Sequence, residues 1–128
     1  MSTSDPVCDY VALPRVWSMS RSHTVTAGSD MRLECHVWGW PIPTVNWLKV
    51  GPNGAAEPLN FTADERLNTT SGVALAPRGH AVDNATLLMT QVGYDDRDVY
   101  MCEVSSVVNG VLHSHNSTVF IRVKGNYQ

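Results

Sequence analysis

Three sets of residues in this 128-residue sequence could do chemistry: three cysteines, five histidines and the acidic run Asp95, Asp96 and Asp98. Of the histidines, His113-x-His115 would face the same way on a strand and could grip a metal. A tetrahedral site needs three or four ligands, and no further His or Cys pair stands at ligand spacing, so solvated histidines are the better reading. The acidic run lacks the oxygen-ligand spacing of a calcium cage and reads as a corner salt bridge and solvated turn. No His-Glu-x-x-His, Gly-rich phosphate loop or Gly-x-Ser-x-Gly is present. No cofactor, metal or enzyme activity is therefore expected.

The cysteines are more informative. Cys35 is followed by Trp47 after twelve residues and by Cys102 after sixty-seven. Each of the two cysteines lies mid-run with apolar neighbours at i±2, which suits a bridge between facing sheets with Trp47 packed on it. Tyr100 stands two before Cys102, where its hydroxyl would bond back to upstream backbone. Leu87, Met89 and Val92 lead into Asp96, and Arg66 is placed to pair with Asp96 across the sheet edge. Two unpaired core cysteines in some other β fold would be the bland alternative.

The surrounding elements agree. Leu33, Cys35 and Val37 alternate with Arg32, Glu34 and His36, the period of a half-buried strand. Similar short runs are expected at 31–38, 45–50, 85–89, 99–104 and 118–123, separated by turn clusters such as 51–58. Asn109-Gly110 between apolar runs signals a hairpin. Residues 59–83 read as irregular and polar, with room for one or two short strands. The expected fold is all-β, a two-sheet Greek-key sandwich with one inter-sheet disulfide. The expected organisation is a lead-in or linker over 1–20, a single domain over 21–125 and a tail over 126–128.

These residues resemble the immunoglobulin superfamily over roughly 21–125. Gly39-x-Pro41-x-Pro43 and the Leu-x-Met-x-x-Val approach to Asp96 are similar to the I-set type. Asp98 departs from the small residue usual in the Asp-x-Gly-x-Tyr-x-Cys motif, and the long Cys–Cys gap implies an extra hairpin or loop between Gly51 and Asp83. Cys35-x-Val37-x-Gly39-x-Pro41-x-Pro43 with Trp47-x-Lys49-Val50 also resembles the C-terminal domain of Kazal/Ig insulin-like-growth-factor-binding-protein-related proteins. Trp47-Leu48-Lys49 and Leu67-Asn68-Thr69-Thr70 are similar to fibroblast growth factor receptor domains, and Tyr100-Met101-Cys102-x-Val104 to the neuregulin domain. These likenesses imply a module that engages a growth-factor-like polypeptide.

Composition bounds the rest. Apolar residues make up 43% and charged residues 16%, a globular balance, and the net charge of −3 is spread along the chain. No basic stripe is visible, which argues against nucleic acid and anionic membranes. No apolar run approaches the ~20 residues needed to span a bilayer. The first twenty residues lack a basic start and an apolar core, so they are no signal peptide and the chain is expected to be cut from a longer one. Four sequons, at Asn60, Asn68, Asn84 and Asn116, point to N-glycosylation and a secreted or cell-surface setting. Cys8 is odd in number. It pairs in a preceding module, bridges two chains, or stays free.

Strand parity names a surface. With Val45, Trp47, Cys102, Val104, Val119 and Ile121 inward, Asn46, Leu48, Met101, Glu103 and Phe120 face out. Leu48, Met101 and Phe120 would form an apolar row for a protein partner, homophilic or otherwise, unless the lead-in or a neighbouring domain covers it. A glycan on Asn116 would border that face. Trp38 and Trp40 are expected to pack under Trp17 of the lead-in, or to serve as anchors.

Overall fold

The alternation of Leu33, Cys35 and Val37 with polar residues builds the central strand of the first sheet, and its inward set is fully buried. A computed structural model describes residues 11–75 and 81–125, with side chains for 11–72 and 84–125. Among the described residues, nine strands form two sheets. They are β1 (Ala12–Met19), β2 (His23–Thr26), β3 (Met31–Trp40), β4 (Thr44–Val50), β5 (Ala56–Pro58), β6 (Leu67–Leu75), β7 (Ala81–Met89), β8 (Asp98–Val108) and β9 (Val111–Lys124). One sheet has the order β1-β3-β7-β6 and the other β2-β9-β8-β4-β5. A 3-10 turn at Tyr94–Asp96 leads into β8. The peptide between Trp40 and Pro41 is cis.

The sheets face each other across Leu33, Val37, Leu87, Tyr100, Val104 and Ile121, all buried, with Cys35 and Cys102 bonded between them. Val45, Val16, Met19 and Val123 pack against this core from the rim. Burying a side chain of this size contributes about 1.5–3 kcal/mol, so the inward faces supply the main driving force. Asn109 and Gly110 both have positive φ, 52° and 79°, as a two-residue turn that matches strand twist requires. That turn closes β8 on β9 at Val108 and Val111.

Two expectations are corrected. The stretch Ala12–Met19, expected as linker, is a strand paired antiparallel to β3. Its pattern is irregular because the register shifts twice, between Ala12 and Arg15 and between Val16 and Ser18, which breaks the period of two that marks a strand. Ser20 and Ser22 then carry the chain from one sheet to the other. Ser20 Oγ accepts from Glu34 N–H at 2.8 Å, and Ser22 Oγ accepts from Phe120 N–H at 2.9 Å. Secondly, the polar stretch before Asp83 contains a nine-residue strand, β6, paired along its whole length with β7. β6 is an edge strand rich in Thr, Ser and Asn, so it lacks the apolar alternation of an inner strand. The turn cluster after β4 also holds the short strand β5.

Gly39 shows why β1 fits. A Cβ there would lie 2.8 Å from Pro43 Cγ and 3.2 Å from Pro14 Cα, so only glycine lets the three segments close up. Residues 1–10, with Cys8, and the 126–128 tail lie outside the described residues.

Candidate functional site

The centre of the molecule is built for rigidity. Cys35 and Cys102 are bonded with Cα atoms 6.5 Å apart. Trp47 stands opposite Cys102 in the ladder and is 4% exposed. The Tyr100 hydroxyl donates to the Asp96 carbonyl. Arg66 donates through Nη1 at 2.8 Å and Nη2 at 3.1 Å to the two Asp96 carboxylate oxygens, and Gly93 N–H adds a third bond at 2.7 Å.

The charge states follow from these contacts. Burial alone would raise the Asp96 carboxyl, but the Arg66 and Gly93 bonds outweigh it and hold it below the ordinary 3.8. Arg66 also grips Asp64, mainly by hydrogen bonding, and lowers its carboxyl too. Asp64 is a partner that sequence reading missed. Burial, reinforced by Asp96 and Asp98, pushes the Tyr100 phenol well above 10.0. All of this closes the corner.

The outer face of the β4-β8-β9 layer is different. Leu48 stands directly opposite Met101, and Met101 opposite Thr118. Phe120 stands opposite Val99, which stands opposite Val50. The expected single row of Leu48, Met101 and Phe120 is thus two adjacent rows, with Phe120 one diagonal step from Met101. Leu48, Met101, Val50 and Val99 are half-buried, and Phe120 is 38% exposed. Asn46, Glu103 and Asn116 form the next row, and Asn46 and Asn116 are exposed.

The other sequons also reach solvent. Asn68 and Asn84 are exposed on the outer face of the β1-β3-β7-β6 sheet, and Asn60 is exposed in the loop before β6. Asn84 Oδ1 is 2.6 Å from His36 Nδ1, and the His36 ring stacks on Trp17 with centroids 5.4 Å apart. Trp17 packs on His36, and of the two tryptophans expected to be buried beneath it Trp38 is 37% exposed and Trp40 is half-buried. His113 and His115 share one side of β9, as parity requires, but both are half-buried. His115 Nδ1 accepts a hydrogen bond from Val16 N–H. No sequence signal announced that contact, because its two ends are 99 residues apart.

The family model described as immunoglobulin domain matches residues 14–106. The protein named immunoglobulin superfamily member 10 is 29% identical in Rattus norvegicus over 116 residues, which is 84% of this chain and 4% of that protein. The Homo sapiens protein of that name is 32% identical over 100 residues, 78% of this chain and 3% of that one. The chain thus spans only a few per cent of the length of these relatives. Among solved structures, a chimeric titin Z1Z2 carrying an exogenous decorin peptide aligns with TM-score 0.63 and 19% identity, covering 91% of this chain and 98% of that one. The RIG-5 IG1 homodimer aligns with TM-score 0.60 and 16% identity, over 88% and 99% of the two chains. These two share the fold. With the bonded cysteine pair, the two sheets and the family match all in agreement, the chain belongs to the immunoglobulin domain family.

Proposed function

We propose that this chain is an extracellular protein-binding module of a larger secreted or cell-surface protein, and that it binds rather than catalyses. The domain unit in this reading begins at β1 rather than after it. The observation that carries it is the pair of apolar rows on the outer β4-β8-β9 face, Leu48–Met101 beside Val50–Val99–Phe120. The core is filled from the opposite face of the same strands, so folding does not require these side chains to be apolar. The favoured partner is a growth-factor-like polypeptide, on the family likenesses in the sequence, or another Ig-type surface protein. Four exposed sequons support the extracellular setting.

A second reading is homophilic adhesion through this face. An outward apolar patch flanked by polar Asn46 and Glu103 is the composition that a self-pairing interface needs. Light scattering behind a sizing column separates the two. A concentration-dependent dimer abolished by Phe120→Asp supports adhesion. A monomer throughout removes it and leaves a heterologous polypeptide.

A further inference from the structure

The cations of this acidic chain are not evenly spread once it folds. β9 points Phe120, Arg122 and Lys124 to the same side, two residues apart, so successive side chains stand ~7 Å from each other. Arg97, at the start of β8, joins them around one groove. β2 runs parallel to β9 with Thr24 opposite Arg122, and places His23 in an adjoining groove that shares Phe120 and Arg122. A third groove continues past Ser22 to Arg21 and Thr118. The three are joined end to end along β9 from Ser117 to Lys124, a span of ~23 Å.

The charges along this track are available. Arg32 and Arg66 are the ion-paired arginines among the described residues, and neither lies here. Arg97, Arg122, Lys124 and Arg21 make no ion pair there. Arg122 lies over the Phe120 ring, 5.6 Å from its centroid, which holds the guanidinium on the surface instead of in a salt bridge. Two of the three acids leading into β8 are turned to other work. Asp96 is locked by Arg66, and Asp98 caps Val99 N–H at 2.7 Å and lines the groove beside Lys49 on the other side. Hydroxyls line the track at Ser22, Thr24 and Thr118, with Trp17 beside them at the Arg21 end.

We propose that the β2–β9 edge is a binding site for an extended sulfated polysaccharide of the glycosaminoglycan class. Sulfates spaced along a stiff chain match cations spaced along a strand, and the arginine fork binds such oxyanions in pairs. Serine and threonine hydroxyls suit a sugar backbone. An acidic peptide fits less well. It would add to the β2 edge, which offers four residues, and Phe120 is already faced by Arg122. The net charge of −3 means that a polyanion can be held only by this local field.

The experiment is titration of the glycosylated protein with a heparin-derived oligosaccharide of defined length by calorimetry at ~0.15 M salt and above. The comparison variants are Arg97→Ser/Arg122→Ser/Lys124→Ser and, as controls, Arg97→Ser/Arg122→Ser on the track against Arg15→Ser/Arg32→Ser, which removes the same two charges elsewhere. Binding should weaken with salt, and the triple variant should lose more than about tenfold in affinity with a shallower salt dependence, while Arg15→Ser/Arg32→Ser stays close to wild type and binds more tightly than Arg97→Ser/Arg122→Ser. All substituted residues are exposed, and a melting curve on each variant verifies folding. No binding by the wild type, or equal binding by the triple variant, overturns the proposal. Equal affinity for poly-glutamate also overturns it and makes the track an acidic-peptide site. The variants leave the Leu48–Met101 row intact, so this result and the protein-contact test succeed or fail separately.

Discussion

The backbone N–H of Val16 donates a 2.9 Å hydrogen bond to Nδ1 of His115, tying the first strand of one sheet to the long hairpin of the other. The bond fixes the ring with its proton on Nε2. It also makes β1 part of the domain, since the residues around it, Val16 and Met19, pack on the core.

Deleting residues 1–19 should therefore destabilise the domain by about 2–4 kcal/mol, from lost ladder bonds and the apolar surface uncovered at Val16 and Met19. His115→Ala should cost about 1 kcal/mol. Urea midpoints on the three proteins check this. A deletion variant as stable as the parent would return β1 to the status of linker.

Gly39→Ala tests the same packing from the other side. The new Cβ meets Pro43 Cγ at 2.8 Å and the Pro14 backbone at 3.2 Å, so a loss of about 1–3 kcal/mol is expected in thermal melts. Gly54→Ala is the comparison, since nothing lies within 4 Å of a Cβ there, and its cost comes from backbone conformation alone.

Arg66→Ala should be severe. It leaves the Asp96 carboxylate, whose side chain is 9% exposed, with Gly93 N–H and the more distant Lys49 but no ion-pair partner, at a cost of about 3–5 kcal/mol. The pH dependence has two limbs. The Asp96 carboxyl is lowered in the fold, so its stabilisation is present above the ordinary value of 3.8 and is lost as pH falls through the depressed value. The Tyr100 phenol is raised, so its contribution is present below 10.0 and is lost as pH climbs above it. Stability measured against pH should fall at both ends, and Arg66→Ala should flatten the acid limb.

Reducing the Cys35–Cys102 bridge should cost about 4 kcal/mol, the entropy of freeing a loop with 67 residues of separation. Thiol titration without reductant should find neither Cys35 nor Cys102 reactive, folded or unfolded, because both sulfurs are held in the disulfide. Reaction of three thiols in native buffer would count against the pairing.

Asn116 lies opposite Glu103 on the outer β8–β9 face, one row from Met101. If that face is the contact surface, a glycan on Asn116 shields part of it. Asn116→Gln in glycosylated protein should leave the melting temperature unchanged and strengthen any pairing seen by light scattering. Weaker pairing would place the contact elsewhere.

Much of this molecule was determined by the sequence alone, through rules that act over a few residues. Alternation of period two decided which side of β3, β4, β8 and β9 turns inward, because side chains on an extended backbone must point to opposite faces. Asn109-Gly110 decided the hairpin, because both turn positions need positive φ. That two-residue turn even contained the register that sets Phe120 opposite Val99, since pairing outward from Val108 and Val111 leaves no other choice. The tertiary structure decided what depends on partners far away in the chain. β1 is a strand because β3 offers it a ladder and Gly39 offers it room, not because its own pattern alternates. Arg66 reaches Asp96, thirty residues on, because the β6 edge meets the turn before β8. Arg97 stands twenty-five residues before Arg122 and joins it and Lys124 because the β8–β9 pairing sets the start of one strand beside the end of the other. Local parity cannot report such meetings, since they are settled by which strand lies beside which.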